Sequence, residues 1–233
     1  MLQLPQSNRE ELLDLNRGTL DDVRQSLADI RRINAWLGGT RVICNGVFHM
    51  LKKPGLKSAI ILDVGTGSAD IPQHLVKMGT KRGLALKVLA LDVNERHLQI
   101  AREYVGGSSE IELIEGDAFA LPMENNSVDV VVASLFLHHF RAPQIRQILR
   151  EWERVARVGW IANDLVRHPL AMAFFRATGP IFARSYLTRH DGAASIRRAY
   201  TVEEMHEIVR RDFPDACVRG HFPYRLSMVR EKP

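Results

Sequence analysis

The sequence predicts an α/β protein built on a doubly wound, mostly parallel β-sheet. From residue 58 to residue 165, short apolar runs of strand length alternate with segments of helical character. The runs are apolar along their whole length, which is typical of parallel strands covered by helices on both faces. A chain of 233 residues with 45% hydrophobic content supports one sizeable core with decorations.

Residues 1–56 predict a helical arm in front of this core. Apolar residues recur at helical spacing over about 8–50, interrupted by Gly38-Gly39, and Pro54-Gly55 ends the segment. We therefore expect an arm that covers the active site, followed by the main domain at 57–233.

Five strands are expected first in the main domain, at 58–64, 85–93, 111–117, 127–137 and 157–165. An insertion on the substrate side follows at about 166–200. Thr201 and Glu204 form a capping box, so a helix begins at Val202. The segment 216–230 then supplies two final strands, which brings the sheet to seven.

Composition limits the cellular setting and the partners. The two cysteines, Cys44 and Cys217, have no disulfide or zinc-ligand spacing. We therefore expect no bound metal, and we expect the protein to be cytoplasmic. The sequence shows neither a signal-peptide pattern nor an apolar stretch of about 18 residues. The net charge of +5 divides into −2 for residues 1–140 and +7 for residues 141–233. The basic residues are scattered, which favours a solvated face over a nucleic-acid site.

Acidic and small residues follow the first two strands. Asp63 ends the first strand, Gly65 and Gly67 come directly after it, and Asp92 ends the second strand. Ligands of open α/β sheets bind at the carboxyl ends of the strands, where a carboxylate can accept both ribose hydroxyls. This edge therefore predicts a nucleotide-like ligand.

Asp70 narrows the choice of ligand. A dinucleotide needs a third glycine and a helix N-terminus free for its pyrophosphate, whereas Asp70 would place a negative charge there. Asp63 and Asp70 together suit a ligand that carries an ammonium and a sulfonium.

These motifs resemble those of class I S-adenosylmethionine-dependent methyltransferases. "LDVGTGSAD" resembles the first motif of the family, with Ala69 in place of the usual third glycine. "LALDVNERHLQIAR", Gly116-Asp117-Ala118 and "LPMENNSVDVVVAS" resemble the next three, in the same order. The resemblance covers about 58–140 and implies a Rossmann-like methyltransferase fold that uses S-adenosylmethionine.

The resemblance also implies roles. Gly65 and Gly67 would flank the methionine part, Asp63 would bind its ammonium, Asp92 the ribose, and Asp117 with Ala118 the adenine. The expected cofactor-binding residues are Asp63, Gly65, Gly67, Asp70, Asp92, Val93, Asp117, Ala118 and Ser134. Each carboxylate could instead cap a turn or a helix, but all of them lie where a parallel sheet binds its ligand.

Two histidines in "SLFLHHF" follow the fourth strand, at the mouth of the expected pocket. A base near the cofactor would assist methylation of a phenol or an acidic carbon. His139 is the preferred candidate for this base and His138 the second. The alternative is that both only cap a helix or pack.

Residues at the end of the fifth strand, in the arm and in the insertion are candidates for substrate binding. They are Trp36, Asn163, Asp164, Arg197 and Tyr200, the last two in a segment from Arg189 to Tyr200 that is expected to be a loop. Apolar residues between Trp36 and Met50 and between Met172 and Phe182 suggest two lids over an aromatic or long-chain substrate, although packing against the core is the simpler explanation.

We therefore expect a small-molecule methyltransferase that O-methylates a phenolic or quinol-like, lipophilic acceptor, with a peripheral membrane contact compatible with such a substrate. The end of the chain also resembles methyltransferases of quinone precursors and alkyl-phenols. Methylation at carbon or nitrogen, action on nucleic acid, and cofactor binding without turnover remain alternatives. The sequence does not indicate an oligomeric state.

Overall fold

A computed structural model describes residues 4–7 and 9–232. The described residues exclude 1–3, where the predicted arm begins, and 233, where the predicted main domain ends. They also exclude residue 8, where the predicted helix begins. The strands are β1 (Ser58–Val64), β2 (Ala85–Asp92), β3 (Ile111–Glu115), β4 (Val128–Ser134), β5 (Ala156–Leu165), β6 (Cys217–His221) and β7 (Arg225–Glu231).

These strands form one seven-stranded sheet in the order β3-β2-β1-β4-β5-β7-β6. Strands β1 to β5 are parallel, and β7 runs antiparallel to both β5 and β6. The predicted doubly wound α/β fold, with a final hairpin, is confirmed. The strand order reverses between β1 and β4, and their carboxyl ends therefore open a crevice for a ligand.

Helices cover both faces of the sheet. They are α1 (Leu20–Trp36), α2 (Gly39–Met50), α3 (Asp70–Lys81), α4 (Glu95–Val105), α5 (Ala142–Val155), α6 (Pro169–Phe182), α7 (Tyr186–Arg198) and α8 (Val202–Arg210), with a short 3-10 helix at Leu137–His139. The largest core cluster includes Trp152 of α5 and Met205 of α8. The second largest includes Val47 of α2 and Leu75 of α3. In the part of the chain that the structure describes, no helix is both long and apolar enough to cross a membrane.

Helix α2 belongs to the core, which corrects the expectation that its apolar residues form a lid. Val47 is fully buried and Met50 nearly so. Gly46 lets α2 lie directly on β5, since a Cβ there would sit 2.2 Å from the Ile161 Cδ1 atom. The packing explanation therefore holds for this part of the arm.

The first long helix starts later than the periodicity predicts. Thr19 caps α1 and forms a capping box with Asp22, and residues 9–18 before it are not helical, with turns at 12–16. Asn16 and Gly18 have φ angles of 53° and 83°, which are incompatible with a continuing right-handed helix. Leu13 is buried beside α1 and Leu12 packs against the same cluster, whereas Leu15 is exposed.

The predicted loop from Arg189 to Tyr200 is wrong, because most of it is helix α7. Ser185 caps α7 through its side chain, which accepts a hydrogen bond from the Leu187 backbone. Gly192 favoured a loop by composition, but it serves as a contact point for Phe175, whose ring would lie 2.2 Å from a Cβ at that position. Tertiary packing has overridden local composition here.

Ala69 adopts a backbone conformation that usually requires glycine. Its φ and ψ angles are 59° and 34°, in the left-handed region, directly before α3. An L-residue there costs about 1–2 kcal/mol. The methyl group of Ala69 is fully buried near Ala90 and Ala101, which returns about 0.8 kcal/mol per buried carbon. Strain and burial therefore nearly cancel.

We predict that Ala69→Gly leaves the free energy of unfolding within about 1 kcal/mol of wild type, because it relieves strain and removes packing together. Ala69→Val should destabilise by at least about 2 kcal/mol, since a β-branched residue is strained in this region and overfills the site. Urea denaturation measures both variants. Equal stabilities for the two would contradict the conformation of this turn.

Candidate active site

A cleft of about 420 Å³ opens at the carboxyl ends of β1 to β4. This volume falls within the usual range of small-ligand sites. All nine residues that the sequence assigns to the cofactor line it: Asp63, Gly65, Gly67, Asp70, Asp92, Val93, Asp117, Ala118 and Ser134. We call it the cofactor cleft. The parallel register places these separate sequence motifs in one crevice.

Two buried carboxylates in the cofactor cleft have neutral hydrogen-bond partners. Asp63 accepts a hydrogen bond from the Thr66 hydroxyl at 2.6 Å, and Asp70 accepts one from the Asn34 amide at 3.3 Å. Burial raises the pKa of Asp63 to about 8, with a further rise from the charges of Asp70 and Asp92. Burial also raises the pKa of Asp70. A cationic ligand would reverse this cost, so the cleft favours positive charge.

Backbone amides orient the carboxylates further along the cofactor cleft. Asp92 accepts hydrogen bonds from the backbone nitrogens of Gly67 at 2.8 Å and Asn94 at 2.9 Å, one on each oxygen. Asp117 accepts one from the Phe119 backbone at 2.9 Å. Each carboxylate oxygen can accept a second bond. Both side chains are thus held in place with acceptor capacity left for a ligand.

Gly65 allows an aromatic side chain to lie against the turn after β1. Its φ is 70°, and a Cβ there would meet Phe136 at 2.3 Å. Phe136 follows β4 and lines the same cleft. This glycine therefore serves both the turn and a close contact.

His138 is a buried, ion-paired imidazole. Its Nδ1 lies 2.6 Å from Asp164 Oδ1, and its Nε2 lies 3.4 Å from Glu11 Oε1. Burial acts to lower the pKa of His138, but the two carboxylates outweigh it and raise the pKa to about 10. His138 therefore holds its proton at neutral pH, which disfavours it as a general base.

His139 faces the cofactor cleft and is partly exposed. Its Nδ1 lies 2.8 Å from Asp14 Oδ2. Arg198 binds the same Asp14 oxygen at 3.2 Å and the His139 carbonyl at 2.6 Å. A carboxylate on Nδ1 favours the tautomer that leaves Nε2 free to accept a proton. The arrangement is that of an oriented base.

A second cavity, of about 120 Å³, adjoins the cofactor cleft, and we call it the apolar cavity. Its apolar lining includes Ile33, Leu37, Leu135, Leu165, Phe174, Phe175, Phe182 and Tyr224. Glu11, Leu13 and Ile30 line both spaces, and His138 lines the apolar one. An apolar cavity of about 150 Å³ can hold benzene, so this slightly smaller space is close to the size of a single ring.

The five expected substrate residues line neither the cofactor cleft nor the apolar cavity within the described residues. Asp164 forms a hydrogen bond with His138 Nδ1, and Asn163 donates to the Ser134 hydroxyl at 3.0 Å. The Tyr200 hydroxyl donates to the Phe140 carbonyl, and the Arg197 carbonyl accepts from Ser7. Asn163, Asp164 and Tyr200 are buried and their side chains form structural hydrogen bonds, whereas Arg197 is half-buried and forms this contact through its backbone only.

Trp36, the fifth expected substrate residue, lies at the rim of the apolar cavity. Its side chain is 72% exposed and meets the ring of Phe182, a lining residue of the apolar cavity, with ring centroids 5.9 Å apart. Of the second expected lid, Phe174, Phe175 and Phe182 line the apolar cavity, whereas Ile181 is 64% exposed.

Three residues of the candidate site could not be found from the sequence. Glu11 and Asp14 reach the histidines from more than 120 positions away, and Arg225 lies in the last strand. Their neighbours in the sequence form no motif. A long-range contact between an irregular segment and the sheet leaves no periodic signal.

Glu11, His138 and His139 offer ligand atoms within 4.8 Å of one another, a spacing that could hold a metal ion. We interpret the cluster as hydrogen bonds and an ion pair of His138, because Asp164 and Asp14 each bind one nitrogen of an imidazole and the pKa of His138 is raised to about 10. Against the effect of burial, the neighbouring histidines and the Ser195 hydroxyl lower the pKa of Glu11 to about 2.

Comparison with known proteins agrees with this geometry. Residues 61–159 match a family model described as a methyltransferase domain. The demethylmenaquinone methyltransferase of Bacillus cereus (strain ATCC 10987 / NRS 248) is 30% identical over 199 residues, 78% of each chain. That of Bacillus anthracis (strain CDC 684 / NRRL 3495) has the same identity and coverage.

Solved structures with low sequence identity share the fold. A SAM-dependent methyltransferase from Aquifex aeolicus is similar with a TM-score of 0.63 and 21% identity, covering 92% of this chain and 99% of that one. Human N-acetylserotonin methyltransferase in complex with SAM has a TM-score of 0.65 and 11% identity, covering 98% and 63%.

The sheet order and the acidic cleft define an enzyme of the methyltransferase type. With the matched family model and relatives, the chain belongs to the class I S-adenosylmethionine-dependent methyltransferases. The cleft fits this cofactor, since Asp63 and Asp70 are buried without a charged partner in hydrogen-bond contact and a sulfonium with an ammonium would supply one. Asp92 would hold the ribose, and Asp117 with Ala118 the adenine.

We predict that cofactor binding strengthens as the pH rises to about 8. The pKa of Asp63 is about 8 without ligand, and a cation favours the ionised form, so binding below pH 8 must release a proton. Affinity should fall by up to about tenfold per pH unit below 8. Titration calorimetry in buffers of different ionisation enthalpy measures both affinity and proton release.

Asp63→Asn is the matched variant, and it separates this carboxyl from the titration of the cofactor's own amino group. It should bind more weakly and lose the part of the pH dependence that wild type owes to Asp63. Without ligand it should gain stability at neutral pH, because a raised carboxyl pKa costs stability above the unfolded pKa. Identical pH profiles for the two proteins would contradict the assignment.

Proposed function

We propose that this enzyme methylates a phenolic or quinol-like ring on a small lipophilic acceptor, at oxygen. The main support is the hydrogen bond between Asp14 and His139 at the cofactor cleft, which adjoins a ring-sized apolar cavity. A phenol, with a reference pKa near 10, gains from an oriented base at neutral pH. An amine would need no such pair.

In this proposal each group has one task. When bound, the cofactor supplies an electrophilic methyl group on its sulfonium. Asp14 holds Nδ1 of His139, so Nε2 accepts the acceptor's proton as its oxygen becomes nucleophilic. His138, held by Asp164, fixes the 3-10 helix and stays protonated. The apolar lining excludes water and aligns the ring.

A second candidate is methylation of a ring carbon. The relatives are named for demethylmenaquinone, a quinone, and an acidic ring carbon also requires a base. Transfer from a cofactor with a ¹³C-labelled methyl group distinguishes the two. A methoxy carbon signal in the product supports the proposal, and a ring-methyl signal would establish the alternative.

The exposed apolar rim supports a lipophilic acceptor. Trp36, Ile181 and Phe222 are 72%, 64% and 92% exposed, and Phe182 connects Trp36 to the lining of the apolar cavity. We infer that an alkyl tail leaves the cavity along this rim, where a membrane surface could also be touched. In a series of alkyl-phenols, KM should fall with tail length in wild type and less so in Trp36→Ser.

The basic C-terminal half does not favour a nucleic-acid substrate. Arginines of this half, among them Arg154, Arg157, Arg167 and Arg230, form ion pairs with acidic side chains of the same chain. They therefore contribute less to a free positive surface than the net charge suggests.

We predict that His139→Ala lowers kcat about 10²- to 10⁴-fold, the usual contribution of a general base, with cofactor affinity nearly unchanged. Asp14→Asn should lower kcat less, because the imidazole remains. The exposed His206→Ala is the control and should behave as wild type. Methyl-transfer assays on the best alkyl-phenol, with cofactor titrations, measure these effects. A fully active His139→Ala would remove His139 as the base.

A further inference from the structure

The first residue of β7, Arg225, is a buried cation next to the apolar cavity. It is 1% exposed and is one of the residues that line this cavity. It pairs with Leu165 of β5 and His221 of β6 in the sheet register, so its backbone position is fixed. A guanidinium is costly to bury, and natural proteins normally pair it.

Within the described residues, the guanidinium of Arg225 is poorly satisfied. Its Nη2 donates to the Ile33 carbonyl at 3.5 Å, the outer limit of a hydrogen bond, and its Nη1 has no hydrogen-bond partner. Burial lowers the pKa of Arg225 to about 10, and the charges of Asp164 and Asp70 only partly offset this. The group nevertheless stays charged at neutral pH.

The nearest carboxylates are already engaged. Asp164 holds the imidazole and the backbone nitrogen of His138 and the nitrogen of Leu165, while Asp70 accepts from Asn34 in the cofactor cleft. The positive charge of Arg225 thus lacks a direct counterion, and Arg225 lines a small, mostly apolar space that Glu11, His138 and Asp191 also line.

We propose that Arg225 is a substrate-binding residue that pairs in the apolar cavity with an ionised ring oxygen of the acceptor, a phenolate or enolate distinct from the oxygen that His139 deprotonates. This rests on the proposed function and narrows its substrate class. Charge-assisted hydrogen bonds to an oxyanion are the strongest that a guanidinium makes, and a dry site strengthens them further. The lining supplies affinity for the ring, and Arg225 selects rings that carry an acidic hydroxyl.

Two single-ring probes of similar size test this inference by binding alone. 4-Nitrophenol is largely ionised in mildly alkaline buffer, and nitrobenzene has no ionisable group. Wild type with cofactor product bound should prefer the first by about 10- to 100-fold in Kd, the usual range for a charge-assisted bond. Calorimetry gives both constants.

Three variants complete the test. Arg225→Met should bind both probes equally, and Arg225→Lys should regain part of the preference, since it restores a cation. Phe174→Leu, another change in the lining, should weaken both probes and keep their ratio. Thermal unfolding checks that each variant is folded. If Arg225→Met does not fold, the binding of the two probes to wild type and to Arg225→Lys provides the test.

The outcome is separate from that of the proposed function. A wild type that binds the two probes equally, or an Arg225→Met that keeps the preference, overturns the role of Arg225 even if the enzyme methylates phenols. Retained discrimination in an enzyme that methylates no phenol or quinol would overturn the proposed function and leave the oxyanion site standing.

Discussion

The ion pair between His138 and Asp164 organises the candidate site. It ties the 3-10 helix after β4 to the end of β5, and Glu11 completes it from the N-terminal segment. This buried cluster lies where the two cavities meet and fixes the backbone from which His139 enters the cofactor cleft. Removing one partner of such a pair would leave an uncompensated charge, so its members depend on one another.

The N-terminal segment and α7 close the site by many polar contacts of long sequence separation. Both oxygens of Asp191 accept hydrogen bonds from backbone nitrogens, of Leu12 and Leu13, and Ser195 donates to Glu11. These bonds satisfy buried groups in a segment without regular structure. They also position Glu11 and Asp14 against the histidines, so catalytic geometry in this reading depends on the docking of an irregular segment.

Several local arrangements are unfavourable for the ligand-free protein and suit a binding site. Asp63 and Asp70 are buried without a charged partner in hydrogen-bond contact, and Arg225 lacks a partner on one nitrogen. Each costs stability that the surrounding core must offset. The buried carboxylates of Asp63 and Asp70 lie in the cofactor cleft, and Arg225 lies at the apolar cavity, which Glu11, His138 and Asp191 also line.

The sequence by itself determined the alternation of strands and helices and the cofactor edge, because Asp63, Asp92 and Asp117 lie at or just beyond the carboxyl ends of their strands, and parallel strands align those ends. It also indicated His139, which lies in the 3-10 helix that follows β4. The tertiary structure alone decided the acceptor side. Asp14 comes from an irregular segment and Arg225 from the start of the last strand, whereas the Tyr200 hydroxyl and the Arg197 carbonyl form structural hydrogen bonds. Local patterns encode elements and their ends, but the packing of remote segments decides which side chains face a cavity.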